Sequence, residues 1–246
     1  MLISICKNYD EMSAEAAQVV KKVIHKKPDA VIGFATGSTP LGLYKELIRL
    51  HNEEGLSFSK ITTFNLDEYV GLPANHDQSY NYFMNENLWQ HIDISSSNIH
   101  VPDGMAEDLE QYCEWYEDQI TKSGGIDLQI LGIGSNGHIA FNEPGSSLGS
   151  RTRIKTLTEQ TISDNRRFFN SEDEVPKFAI TMGIGTIMDA GSLVLLANGE
   201  SKAEAVRAMV EGPITAMKPA TIVQMHRKAF IYMDEPAASK LESIGH

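Results

Sequence analysis

Cysteine is nearly absent from this chain: Cys6 and Cys113 are the two thiols among 246 residues. So far apart, they supply neither a disulfide framework nor metal-ligand spacing, and they read as reduced, buried or incidental. Long hydrophobic runs are missing as well, none approaching the ~20 residues that span a bilayer. The opening MLISICKNYDEMS has neither the basic start nor the apolar stretch of an export signal, so the expected location is the cytoplasm. Positive charge is scarce: 21 Lys and Arg stand against 33 Asp and Glu, for a formal net charge of −12. Such a field repels nucleic acid and anionic membranes, so neither is expected as a partner. A phosphate-bearing ligand would have to meet a local basic cluster. What remains is ordinary globular composition, 41% hydrophobic and 22% charged, long enough for one large core over residues 1–246.

Short apolar runs alternate with helical patterns. SAEAAQVVKKVIHKK puts Ala16, Val19, Val20, Val23 and Ile24 on one helical face, with Ser13 as the expected N-cap. DAVIGFA then predicts a strand, and PLGLYKELIRLHNEEG a helix opened by Pro40 and closed near Gly55. KITTFNL, IDLQILGI, RIKTL, FAITM, SLVLLAN and AFIYM predict further strands, and DLEQYCEWYEDQI a further helix. In SKAEAVRAMVEG, Ser201 and Glu204 have the spacing of a capping box, and Gly212 with Pro213 ends the helix. Strands alternating with helices predict an α/β fold with a mostly parallel sheet covered on both faces. The segment from about Gly71 to Gly104 is the least regular.

In open α/β sheets ligands bind beyond the carboxyl ends of the strands, and here several such ends carry chemistry. Thr36, Gly37, Ser38 and Thr39 lie between a strand and a helix, where turned backbone N–H groups and the helix N-terminus favour an anion. A tight turn with an N-cap explains them as well, and without a P-loop Lys no nucleotide is implied. Asp67 and Glu68 follow another strand. Adjacent carboxylates in a turn are usually solvated, but one desolvated at a strand end becomes basic enough to take a proton. In GIGSNGHIAFNEPGSS, His138 is suited to proton exchange near neutral pH and Glu143 could orient it; a histidine satisfied by a backbone carbonyl is the plainer alternative. The spacing is not that of a zinc protease, so no metal is expected. Lys202 opens a helix whose dipole it opposes, which makes sense beside a shared anion, although exposed lysines are usually solvated. Arg166 and Arg167 could serve likewise. Together these groups describe a small anionic substrate of sugar-phosphate type undergoing proton transfer.

Taken in order, ATGSTPLGLY, FNLDEYVGL, GIGSNGHIAFNEPGSSLGSRTRIKTL, NRRFF and ESKAEAVRAMVEG resemble the glucosamine-6-phosphate deaminase family along almost the whole chain. The resemblance implies a modified Rossmann-like fold shared with 6-phosphogluconolactonases and ribose-5-phosphate isomerases. It also implies deamination with isomerisation to fructose 6-phosphate and ammonia, without a redox cofactor. By the same resemblance Asp67 aligns with the proton-transfer base, His138 with the ring-opening acid–base group, and Glu143 with its carboxylate partner. Thr36, Gly37, Ser38, Thr39, Arg167 and Lys202 align with the phosphate cradle. Some members have Asp at the position of Asn136, so the third member of an acidic triad is here an amide. Longer, allosteric members continue beyond the position of His246; Ser146, Arg153 and Lys155 match positions near their activator site, and activity without an activator is expected. A lactonase would share the turn but need no base at Asp67, and a non-catalytic sugar-phosphate sensor would need neither. The expected partner is a small-molecule sugar phosphate, with a homo-oligomer left open.

Overall fold

The structure, a computed structural model, describes residues 1–158, 162 and 175–242. The chain opens with strand β1 (Leu2–Cys6) and helix α1 (Tyr9–Lys26), followed by β2 (Val31–Phe34), α2 (Leu41–Glu54) and β3 (Thr62–Asn65). A short β4 (Asp67–Tyr69), α3 (Tyr80–Asn87), β5 (Ile99–His100) and α4 (Leu109–Lys122) lead to β6 (Leu128–Gly132). Then come β7 (Arg153–Thr156), β8 (Phe178–Thr181), α5 (Ile184–Met188), β9 (Leu193–Ala197), α6 (Ala203–Glu211), β10 (Ala229–Asp234) and α7 (Glu235–Ala238).

Seven strands form one sheet in the order β1-β10-β9-β6-β2-β3-β5, and every neighbouring pair is parallel. Parallel pairing needs long crossovers, which the helices supply, and both faces of the sheet are thereby covered. The fully buried VIGF and LVLLA of β2 and β9 are the continuous apolar strands that such a sheet requires. RIKTL and FAITM depart from the expected pattern. They form β7 and β8 of a separate antiparallel sheet, ordered β4-β8-β7. Leu66 alone separates β3 from β4; it bonds Phe34 O through its N–H while its own C=O receives Met182 N–H, so the chain passes from one sheet to the other there.

Helix α2 behaves as its sequence predicts. Pro40 occupies the N-cap, Gly55 the C-cap at φ +72°, and Leu43, Tyr44, Leu47 and Leu50 are buried. Burying each such side chain stabilises by roughly 2 kcal/mol. Helix α1 starts earlier than expected: Asn8, not Ser13, is the N-cap and accepts from Glu11 N at 2.9 Å. Ser13 is instead buried where α1 meets α2, close enough to Gly42 that a Cβ there would lie 2.3 Å from its Oγ. The Ser201–Glu204 capping box does not form either. Glu200–Lys202 makes a 3-10 turn, α6 begins at Ala203, and Glu204 pairs with Lys240 at 2.5 Å. The irregular segment after Gly71 contains α3 and two 3-10 turns before the two-residue β5. Among the described residues no helix is long and apolar enough to cross a membrane.

Candidate active site

From β2 the chain builds outward to β3 and β5, then returns through β6 to the opposite side. The loops after β2 and β6 therefore diverge, and the crevice between them is where a parallel sheet accepts ligands. A cavity of about 320 Å³ lies there, lined by residues 35–40, Leu66, Asp67, Tyr80, residues 132–135, His138, Ala140, Phe141 and Lys202. Groups far apart in sequence thus face one small space.

Residues 36–39 form a turn ahead of α2 that is exposed at Gly37 and Ser38, with Gly37 at φ +103°. Only glycine adopts that conformation without strain. Tyr9 Oη donates to Ser38 O at 3.1 Å and accepts from Gly42 N at 2.6 Å, so α1 braces the turn. Thr39 Oγ1 donates to Asn198 Oδ1 at 2.7 Å, linking it to the end of β9. Beyond Asn198, Gly199 N–H donates to both carboxylate oxygens of buried Asp234, at 2.9 and 3.1 Å. This held turn delivers Lys202 to the cavity. No carboxylate among the described residues pairs with Lys202, and burial holds its ammonium below the usual lysine range. An unpaired, half-buried cation beside an N-terminal turn is a site for an anion. Arg166 and Arg167 lie outside the described residues.

Asp67 faces the same cavity at the entrance of β4, with only 6% of its surface exposed. Burial, and then the neighbouring Glu68 charge, push its carboxyl up to about 8. Glu68 is pushed up to about 7, chiefly by burial, against the opposing effect of backbone N–H groups of Tyr80, Asn81 and Tyr69. The pair is not the solvated turn that adjacent carboxylates commonly form.

The loop after β6 carries His138 and Glu143. His138 Nδ1 lies 3.4 Å from Glu143 Oε1, with His138 34% exposed and Glu143 12%. The imidazole is therefore the accessible member, and the carboxylate stands behind it. Among the described residues Nδ1 makes no hydrogen bond, so Glu143 contacts it as a charge rather than as an aligned acceptor. Glu143 is itself held by Asn136, whose Nδ2 donates to Oε2 at 2.7 Å while its Oδ1 accepts the His138 N–H at 3.1 Å. The amide at position 136 thus bridges the two residues, a role that needs both a donor and an acceptor. Ala140 adopts φ 50°, a conformation rarely tolerated outside glycine, in the same loop.

The family model described as glucosamine-6-phosphate isomerases/6-phosphogluconolactonase matches residues 7–232. A glucosamine-6-phosphate deaminase of Shewanella woodyi is 56% identical over 241 residues, covering 98% of this chain and 91% of its own length. The chain belongs to this family. The deaminase of Clostridium perfringens is 53% identical over 98% of this chain and all of its own. A solved monomeric glucosamine-6-phosphate deaminase, 49% identical, superposes with a TM-score of 0.95 over 98% of this chain and 100% of that one. The 6-phosphogluconolactonase of Trypanosoma brucei, 22% identical with a TM-score of 0.78 over 98% of each chain, shares the fold. The protein is accordingly an enzyme of the glucosamine-6-phosphate deaminase family, and Thr36, Asp67, His138 and Lys202 from four of its motifs line one cavity.

Some cavity residues had no signal in the family motifs. Tyr80 comes from the irregular segment; its backbone N–H bonds Glu68 Oε1 at 2.9 Å, and its ring stacks on Phe141 with centroids 6.1 Å apart. Ser146, Arg153 and Lys155 do not line the cavity, although Arg153 Nη2 donates to Asn142 Oδ1 at 2.8 Å within the His138 loop. Gly134 matters through what it leaves empty: a Cβ there would lie 2.2 Å from His138 Cε1 and 2.3 Å from Nδ1. Gly134→Ala is therefore expected to rotate the imidazole away from Glu143. Displacements near 1 Å cost on the order of 100-fold in rate, so steady-state kinetics should show a comparable fall in kcat with the fold intact by circular dichroism.

Proposed function

We propose that the chain hydrolytically deaminates and isomerises glucosamine 6-phosphate to fructose 6-phosphate and ammonia. The observation that carries this reading is the placing of a buried carboxylate, Asp67, in one cavity with His138 and with the Lys202-flanked turn. The names of the relatives support the substrate. The turn of Thr36, Gly37, Ser38 and Thr39 receives the 6-phosphate together with Lys202, and we assign Arg167 to the same cradle. Held at that end, the sugar presents its other end to the two proton-transfer groups.

His138 takes the proton of the anomeric hydroxyl and delivers one to the ring oxygen, which breaks the C1–O5 bond and frees the aldehyde. Glu143, fixed by Asn136, stabilises the imidazolium formed in passing. Asp67 then removes the C2 proton, the electron pair moves toward C1, and O1 gains the proton that the C2 ammonium loses, giving an enolamine. Returning a proton to C1 leaves an imine at C2; water adds to that carbon, and the C–N bond breaks to release ammonia. One water is consumed and no electrons leave the substrate, so the sequence calls for no redox cofactor. The substrate's C2 ammonium, arriving beside Asp67, favours its carboxylate form and so lowers the raised pKa when the base is needed.

The deciding assay is ammonia release from glucosamine 6-phosphate by the purified protein, with 6-phosphogluconolactone as comparison. Lactone hydrolysis without ammonia release would overturn the proposal. A further outcome concerns the imidazole. Glu143→Gln removes the charge beside Nδ1 and leaves the Asn136 side-chain N–H facing a neutral amide. Loss of a charged partner that orients a catalytic histidine should lower kcat by roughly 10- to 100-fold. Stopped-flow measurement of pyranose ring opening should locate the loss in that step; an unchanged rate would mean that His138 does not open the ring.

A further inference from the structure

Glu68 is the buried carboxylate that the mechanism above leaves without a task. It is 2% exposed, and among the described residues no cation pairs with it. Its ligands are backbone: Oε1 accepts from Tyr69 N at 2.8 Å and Tyr80 N at 2.9 Å, and Oε2 accepts from Asn81 N at 2.9 Å. Tyr80 and Asn81 are the first two residues of α3, whose third amide, Tyr82 N, is taken by the N-cap Ser79 at 3.0 Å. Glu68 and Ser79 thus divide the open amides of that helix between them. The consequence falls on the cavity, because the residue so anchored is Tyr80, which lines it and stacks on Phe141.

Successive side chains of a strand point to opposite faces, so Glu68 reaches α3 from the side of β4 away from Asp67. The two charges remain one residue apart in a poorly hydrated setting, where repulsion is weakly screened. Asp103 adds a further negative charge on the Glu68 side. Around Asp67 stand the Tyr80 and Tyr116 rings, with His138 and Lys202 along the cavity wall.

We propose that Glu68 is a positioning residue for the C2 base: its carboxylate fastens the start of α3 to β4, holding Tyr80 as a cavity wall, and sets a second negative charge next to Asp67. This rests on the reading of Asp67 as the base. The raised carboxyl of Asp67, to which the Glu68 charge contributes, agrees with it. Both functions need a carboxylate. A glutamine offers one acceptor oxygen where the amides approach two, and an aspartate is too short to reach α3.

The test is a pH series of kcat/KM on glucosamine 6-phosphate for wild type, Glu68→Gln, Glu68→Asp, Ser79→Ala and Asp67→Asn. Activity rises with pH as Asp67 ionises, and removing a neighbouring negative charge lowers that pKa. Glu68→Gln should therefore move the acidic limb to lower pH. A move of about half a pH unit is read at the midpoint of the limb, above pH 7, where Glu68 is itself ionised. Glu68→Asp keeps the charge but releases Tyr80, so the limb should stay while KM rises several-fold. Ser79→Ala loosens the same helix without touching the charge, and its limb should not move. An unmoved limb in folded Glu68→Gln, or an equal move in Ser79→Ala, would overturn the proposal. Should Glu68→Gln fail to fold, Glu68→Asp decides: an unmoved limb with raised KM supports the proposal, and any other result overturns it. Turnover by Asp67→Asn would instead remove the base assignment itself, a separate failure visible in its own arm.

Discussion

Replacing Asp67 by Asn is expected to abolish deamination and also to make the fold more stable at alkaline pH. The two effects have one cause. Asp67 is buried, no described residue donates a hydrogen bond to it, and burial followed by the Glu68 charge pushes its carboxyl from 3.8 up to about 8. A raised folded-state pKa means that the native protein holds this proton more tightly than the unfolded chain. Between the two values the unfolded chain has released the proton and the native state has not, so stability falls as pH rises from about 4 through about 8. An amide does not titrate and escapes this loss. The melting temperature of Asp67→Asn should therefore gain on wild type between pH 5 and pH 9, by the equivalent of a few kcal/mol at the upper end, at ~1.4 kcal/mol per pH unit. Catalysis moves the other way. An amide cannot take the C2 proton, and losing a positioned acid–base group costs on the order of 10²–10⁴-fold in rate. Solvent deuterium should also cease to enter C1 of the product. Near-normal turnover would place the base elsewhere, and a stability difference independent of pH would mean that Asp67 is ionised in the folded protein.

Lys202→Ala is expected to weaken the binding of phosphorylated ligands strongly. Its ammonium is half-buried and has no carboxylate partner among the described residues, so an arriving phosphate is not competing with an internal ion pair. A charge-assisted bond to a desolvated phosphate is worth on the order of 2–3 kcal/mol. KM for glucosamine 6-phosphate should then rise roughly 30- to 150-fold, the same energy expressed as a ratio. Unphosphorylated glucosamine should bind poorly to both forms and distinguish them little. The fold should tolerate the change, since no described ion pair is lost. Isothermal titration with inorganic phosphate separates binding from turnover, and an unchanged affinity there would displace the cradle from Lys202.

Much of the local structure was legible residue by residue because its causes are local. Pro40 and Gly55 bound α2 through their own backbone preferences, and Gly37 supplies a positive φ for the turn. The apolar runs of β2, β6 and β9 announced a parallel sheet because strands covered on both faces need no polar alternation. Asp67, His138 and Lys202 could be placed at strand ends by the same reading, and the order of their motifs pointed to the family.

What failed or stayed silent depended on partners distant in the chain. Ser201 and Glu204 have capping-box spacing, yet Glu204 is drawn to Lys240 and the helix starts later. Ser13 has the chemistry of an N-cap but is taken into the α1–α2 contact, leaving Asn8 to cap. RIKTL and FAITM are strands by composition, but composition does not say which sheet; the turn at Leu66 assigns them to the smaller one. Asn136 is by sequence an amide where some family members have Asp, and the folded loop sets its two polar ends against Glu143 and the His138 amide. The sequence by itself determined most of the longer elements, the residue types of the site and their order. Tertiary structure alone decided which of them meet, which are desolvated and how strongly each holds its proton, because burial and charge proximity arise only when remote segments close around them.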